Sequence, residues 1–129
     1  MRVPASPLDA YFAALDAGDD AAATAAFAED AVYIRPAIED PRGLEVIRGR
    51  ERIREFLARR RERQLAGAYP HRHEIRAAAF DGSRCFVEAL MVTDEGPLGV
   101  FLAHATFDGD GLITRYLAVM AETPGGFDT

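Results

Sequence analysis

The sequence predicts an α+β domain, with helices first and an antiparallel sheet after them. Two observations carry this. Apolar residues recur at helical spacing near the start and again between positions 49 and 65, whereas the second half is a series of apolar runs separated by Asp-Gly and Gly-Pro turn signals. A third sets the scale: 129 residues, 49% of them hydrophobic, make one domain (1–129) with material for an ordinary core. The expected order is helix, helix, strand, helix, then a four-strand meander. That is the pattern of helices segregated from an antiparallel sheet.

Each element has a local reason. Ser6-Pro7-Leu8-Asp9 reads as a helix start, with Ser as cap, Pro in the first turn and an acid near the positive end. Leu8, Tyr11, Phe12 and Leu15 then form one apolar stripe, and Gly18 ends the helix. Asp19 or Asp20 caps a second, Ala-rich helix through about Ala28. Ala31–Arg35 reads as a strand that Pro36 terminates. A loop follows, holding a short strand over Glu45–Arg48. The longest helix runs from Gly49 to about Leu65 with Ile53, Phe56 and Leu57 inward, and Gly67 closes it. Strands are expected over 72–80, 84–93, 98–107 and 112–120, with Asp81-Gly82 and Asp108–Gly111 as turns and 122–129 as a loose tail.

Composition excludes several chemistries. All fifteen basic residues are Arg, so a Schiff-base or general-base lysine is ruled out. The lone Cys85 allows neither an internal disulfide nor a Cys-based zinc site. The only serines, Ser6 and Ser83, read as a cap and a turn residue, which leaves a serine hydrolase no nucleophile. No apolar run approaches the roughly 20 residues of a membrane span, and no secretory signal is visible, so a cytoplasmic setting is expected. The net charge of −6 argues against nucleic acid or an anionic membrane as partner. Residues 48–63 do hold eight Arg and three Glu, but the one aromatic among them, Phe56, belongs to the inward stripe and none is left on the Arg face for base stacking, so a solvated face is expected. No metal ion or dissociable cofactor is expected. His71 and His73, two apart on one strand side, lack a third ligand and read as a solvated or rim pair.

Strand 84–93 is apolar on both faces, with Cys85, Val87, Ala89 and Met91 alternating with Phe86, Leu90 and Val92. A half-solvated strand would alternate apolar with polar, so both faces are covered. Helices cover one face. A second subunit is expected on the other, giving an isologous homodimer through the outer face of the sheet.

The runs Tyr11–Asp19, Phe27–Val32 and Gly49–Phe56, with the closing Phe107-Asp108-Gly109-Asp110-Gly111-Leu112-Ile113, resemble the nuclear transport factor 2-like superfamily. The ketosteroid isomerase and SnoaL-like polyketide cyclase branches match best, over roughly residues 8–121. The resemblance implies a cone-shaped roll: three N-terminal helices on a strongly curved, mainly antiparallel sheet (α-α-β-α-β-β-β-β) around a deep apolar pocket. It implies a small hydrophobic ligand, and either a cofactor-independent isomerase, cyclase or hydrolase acting on a carbonyl, polyketide, terpenoid or steroid-like compound, or a non-catalytic binding or accessory domain. Tyr11 matches the branch's oxyanion-binding tyrosine. Ungapped counting from Tyr11 puts Arg35 at the catalytic Asp position, with Asp40 the alternative, and Ala103 falls at the position of the second oxyanion acid. Two of the three isomerase features are therefore absent.

With Arg35 facing the pocket, alternation places Tyr33 there too. The matching register aims Phe86, Glu88, Leu90 and Val92 inward on one strand, and Tyr116, Ala118 and Met120 on the last. Phe12, Leu15, Phe56 and Ala103 complete the expected lining. Glu88, alone in an apolar run, is either a general acid or base beside Arg35 and Tyr11, or half of a buried ion pair with Arg35 or Arg115. His104 then points away from the pocket into the subunit interface. A register shift of one residue would make His104 the base instead.

Overall fold

The computed structural model describes residues 6–37, 42–65 and 72–122. The elements are α1 (Asp9–Asp16), α2 (Asp20–Ala25), β1 (Phe27–Pro36), β2 (Leu44–Arg48), α3 (Arg50–Leu65), β3 (Arg72–Phe80), β4 (Arg84–Thr93), β5 (Gly96–Phe107) and β6 (Ile113–Glu122). The six strands form one sheet in the order β2-β1-β6-β5-β4-β3. Every pairing is antiparallel except β1 with β6, so the sheet is mixed. The three helices pack on one face, α1 against β3, and α3 against β1 and β2. This is the expected α+β class. Asp40 and His71, the closure at Gly67 and the tail beyond Glu122 lie outside the described residues.

The start of α1 is held by Ser6 and Asp9. The Ser6 N–H donates to Asp9 Oδ2 at 2.9 Å, the Ser6 hydroxyl donates to Oδ1 at 2.8 Å, and the Asp9 N–H returns to the Ser6 carbonyl at 3.1 Å. Helical geometry begins later than the Ser cap suggested, since Leu8 occupies the cap position. Ser6→Ala removes the hydroxyl's bond to Asp9 and is expected to cost about 1 kcal/mol, measurable as a lower urea midpoint at unchanged slope.

The second helix ends at Ala25, before Ala28. Phe27 and Ala28 belong to β1 because Phe27 pairs with Ile113 of β6, and the Ile113 N–H donates to the Ala26 carbonyl at 2.8 Å. A register shift between Phe27 and Val32 then realigns the strand. Long-range pairing here overrides the helix preference of the Ala-rich run. The core lies between helices and sheet. Leu8, Tyr11, Phe27, Ile53, Leu57, Cys85, Ile113 and Tyr116 are its largest sealed side chains. Burial raises the Cys85 thiol, which suits an inert core cysteine.

Candidate functional site

The inner face of the sheet meets the helices in a continuous aromatic wall. Tyr11 and Phe12 come from the α1 stripe, Tyr33 from β1, Phe56 from α3, Phe101 from β5 and Tyr116 from β6. The ring centroids of Tyr33 and Tyr116 stand 4.8 Å apart, and those of Tyr11 and Tyr116 5.3 Å. Phe27 closes the group against Tyr11 at 5.3 Å, and Phe56 lies 5.1 Å from Tyr33. The Arg35 guanidinium caps the wall, 5.0 Å over the Phe56 ring. Leu15, Ala103 and Ala118 are buried on this side, and Met120 packs against the same cluster.

The hydroxyls of Tyr11 and Tyr116 are sealed from solvent; Tyr116 has no hydrogen-bond partner among the described residues, and Tyr11 has only the neighbouring Tyr33 phenol, in a contact short of a well-formed bond. An unmet buried hydroxyl costs roughly 1–3 kcal/mol, so native cores seldom keep one without a reason. Burial first, and then the neighbouring phenols, push Tyr11 well above the usual phenol range; burial and Tyr33 do the same to Tyr116. Tyr33 is raised by burial too, against the opposing pull of Arg60 and Arg35. All three phenols therefore remain neutral donors at physiological pH.

A second polar element adjoins the wall. His73 Nδ1 lies 2.7 Å from Asp16 Oδ1, and the His73 N–H also donates to that carboxylate at 3.1 Å. A carboxylate only accepts, so Nδ1 is the nitrogen that donates in this contact. The His73 side chain is 2% exposed, stacked on Phe12 at 4.9 Å and edge-on to Phe101 at 5.1 Å. Sequence reasoning placed His73 in a solvated or rim pair. The structure instead buries its side chain against an acid 57 residues away. Asp16 follows Leu15 at the C-terminal end of α1, and the sequence singled it out for no role.

The register expected for β4 is reversed. Cys85, Val87, Ala89 and Met91 face the core, and Phe86 and Glu88 are exposed on the outer face. Leu90 and Val92 alternate with them on that side. Glu88 therefore does not join Arg35 and Tyr11 and cannot be their base, and the Glu88–Arg35 ion pair falls with it. Among the described residues Glu88 makes no ion pair with Arg115 either. A strand apolar on both faces carries no sign of which parity is inward, and one residue of slip inverts every side chain.

His104 stands on the outer face with Glu88 and Phe86. Its ring lies 4.4 Å from Phe86, and its Nε2 is buried without a partner among the described residues. Burial, then Arg115 and Arg84, lower its pKa, so the imidazole is neutral at physiological pH. These residues line a groove of about 430 Å³ that also takes in Ala77, Ala79, Leu102, Leu117 and Val119. The Arg-rich α3 pairs Arg54 with Glu51 on its own surface at 2.6 Å and Arg61 with Asp20 of α2 at 3.6 Å. Among the described residues no group of three or more His, Cys, Asp or Glu is placed to hold a metal ion, and no helix is long and apolar enough to cross a membrane.

Residues 8–116 match the model of the SnoaL-like domain. The fold is shared with three solved structures. A protein from Agrobacterium tumefaciens described as an isomerase of the SnoaL-like family is 14% identical, with a TM-score of 0.68 over 89% of this chain and 94% of its own. One from Kribbella flavida described as a ketosteroid isomerase is 21% identical, with a TM-score of 0.67 over 95% and 78%. One from Sinorhizobium meliloti described as a polyketide cyclase is 20% identical, with a TM-score of 0.65 over 89% and 94%. At these identities the likeness speaks to fold alone.

Proposed function

The chain belongs to the SnoaL-like domain family, and from that premise we propose that its helix-side interior takes a small hydrophobic carbonyl compound and moves a proton on it without a dissociable cofactor. The observation that carries this reading is the pair of buried hydroxyls, Tyr11 and Tyr116, neither in a well-formed hydrogen bond, in an aromatic wall. Two buried neutral donors in one wall suit an oxygen that gains negative charge as an enolate forms. His73, oriented by Asp16 and stacked on Phe12, is the imidazole placed beside the wall to serve as the base. The isomerase and cyclase descriptions of the structural relatives fit enolate chemistry of this kind. The hydroxyls are sealed, so the wall must open for a ligand to reach them.

That sealing also favours a second reading, a non-catalytic domain in which the phenols only pack. One variant separates the two. His73→Gln is expected to slow proton exchange on a cyclic enone by about 10²–10⁴-fold, while 2-naphthol, a stable enolate mimic, still binds as to the unaltered protein. Isotope exchange followed by NMR and a fluorescence titration read the two quantities. If the unaltered protein binds 2-naphthol but exchanges no protons on any enone, the non-catalytic reading stands. If it binds neither, the interior is not a ligand site.

A further inference from the structure

The rings of Tyr116, Tyr33 and Phe56 succeed one another at 4.8 and 5.1 Å, and the Arg35 guanidinium follows at 5.0 Å over Phe56. The row thus runs from a sealed phenol to a cation. The rings of the wall are buried except Phe56, which is half-buried, as are Arg35 and Arg60. The wall therefore comes nearest to water at its guanidinium end.

Arg60 belongs to that end. It follows Phe56 by four residues on α3, so the two stand on one side of the helix, a turn apart. Its charge bears on all three phenols, the Arg35 charge bears on Tyr33 as well, and both favour negative charge there. Glu45 stands across from Arg35 in the β1–β2 register and opposes the two cations at Tyr33 more weakly. Arg35 makes no ion pair among the described residues, with Glu45 or any other acid. Neutral phenols inside and guanidiniums at the rim suit a ligand that is apolar along its body and anionic at one end. A carboxylate at the rim keeps part of its hydration, so its charge is not carried into the core. A guanidinium also matches a carboxylate with two parallel N–H donors.

We propose that the ligand of the interior is a hydrophobic acid, with its carboxylate held at the rim by Arg35 and Arg60 and its carbonyl oxygen reaching in to Tyr11 and Tyr116. This rests on the reading of the interior as a carbonyl site and narrows the substrates to carbonyl compounds that also carry a carboxylate. The test is fluorescence titration of the full chain with 6-hydroxy-2-naphthoate and with its methyl ester, which share rings and hydroxyl and differ in charge. The unaltered protein is expected to bind the acid at least about tenfold tighter than the ester. Arg35→Gln and Arg60→Gln are each expected to bring the ratio of the two affinities toward one, and Arg35→Lys to keep part of it. A ratio cancels any packing loss common to both probes, and circular dichroism confirms that each variant is folded. An ester that binds the unaltered protein as tightly as the acid overturns the proposal, whether or not the variants fold, and leaves the interior a ligand site. A preference for the acid that survives in both Gln variants also overturns it, because the anion is then held elsewhere. If neither probe binds, the reading of the interior falls, and the proposal with it.

Discussion

Raising the pH past about 10 is expected to unfold this protein steeply. Tyr11, Tyr33 and Tyr116 hold their protons more tightly in the folded state than in the unfolded chain, because burial opposes the phenolate. A raised folded pKa contributes stability that is complete below the unfolded value and is lost as pH rises through the folded one. Across that window unfolding releases up to three protons, and stability falls by up to about 4 kcal/mol per pH unit. Against a total of roughly 5–15 kcal/mol, this is decisive within a unit or two. Phenolate absorbance and circular dichroism recorded together provide the check. At most one of the four tyrosines is expected to ionise before the dichroism collapses. Full ionisation near pH 10 with the fold intact would place the phenols in water.

The second large effect separates stability from function. Tyr116→Phe removes a hydroxyl that has no partner among the described residues and Tyr11→Phe one without a well-formed bond, so each variant is expected to hold or gain stability, by up to about 1 kcal/mol. A core tyrosine that was merely well bonded would instead lose stability on the same change. Turnover of an enone is expected to fall by about 10²–10³-fold, the usual loss of one oxyanion donor, and 2-naphthol is expected to bind more weakly. Melting curves and titrations on the same samples read both quantities. Stability lost with binding unchanged would mean that the hydroxyls pack and do nothing else.

How much of this was legible in the sequence differs between elements. The Leu8, Tyr11, Phe12 and Leu15 stripe and the Asp-Gly turns are local signals, and they placed α1 and the meander. The inward side of β6, with Tyr116, Ala118 and Met120, followed from alternation anchored on Arg35 through the resemblance. The start of β1 did not, because Phe27 becomes a strand residue only by pairing with Ile113 across the chain. The direction of Glu88 was unreadable for a related reason. Both parities of β4 are apolar, and packing against the helices selects the one with Cys85, Val87, Ala89 and Met91 inward. The Asp16–His73 contact joins the end of α1 to the start of β3, and no local spacing announces such a pair. Tyr11 was visible through the resemblance, but the lack of a well-formed bond for its hydroxyl exists only in three dimensions.

The most direct test of the account is a crystal structure of the protein with 2-naphthol bound. The account places the naphthol oxygen against the inner wall, within about 2.7–3.0 Å of both Tyr11 Oη and Tyr116 Oη, with the fused rings among Phe12, Tyr33 and Phe56. A naphthol seated instead in the outer groove beside Phe86 and His104, with the two phenols still without a well-formed bond, would contradict it.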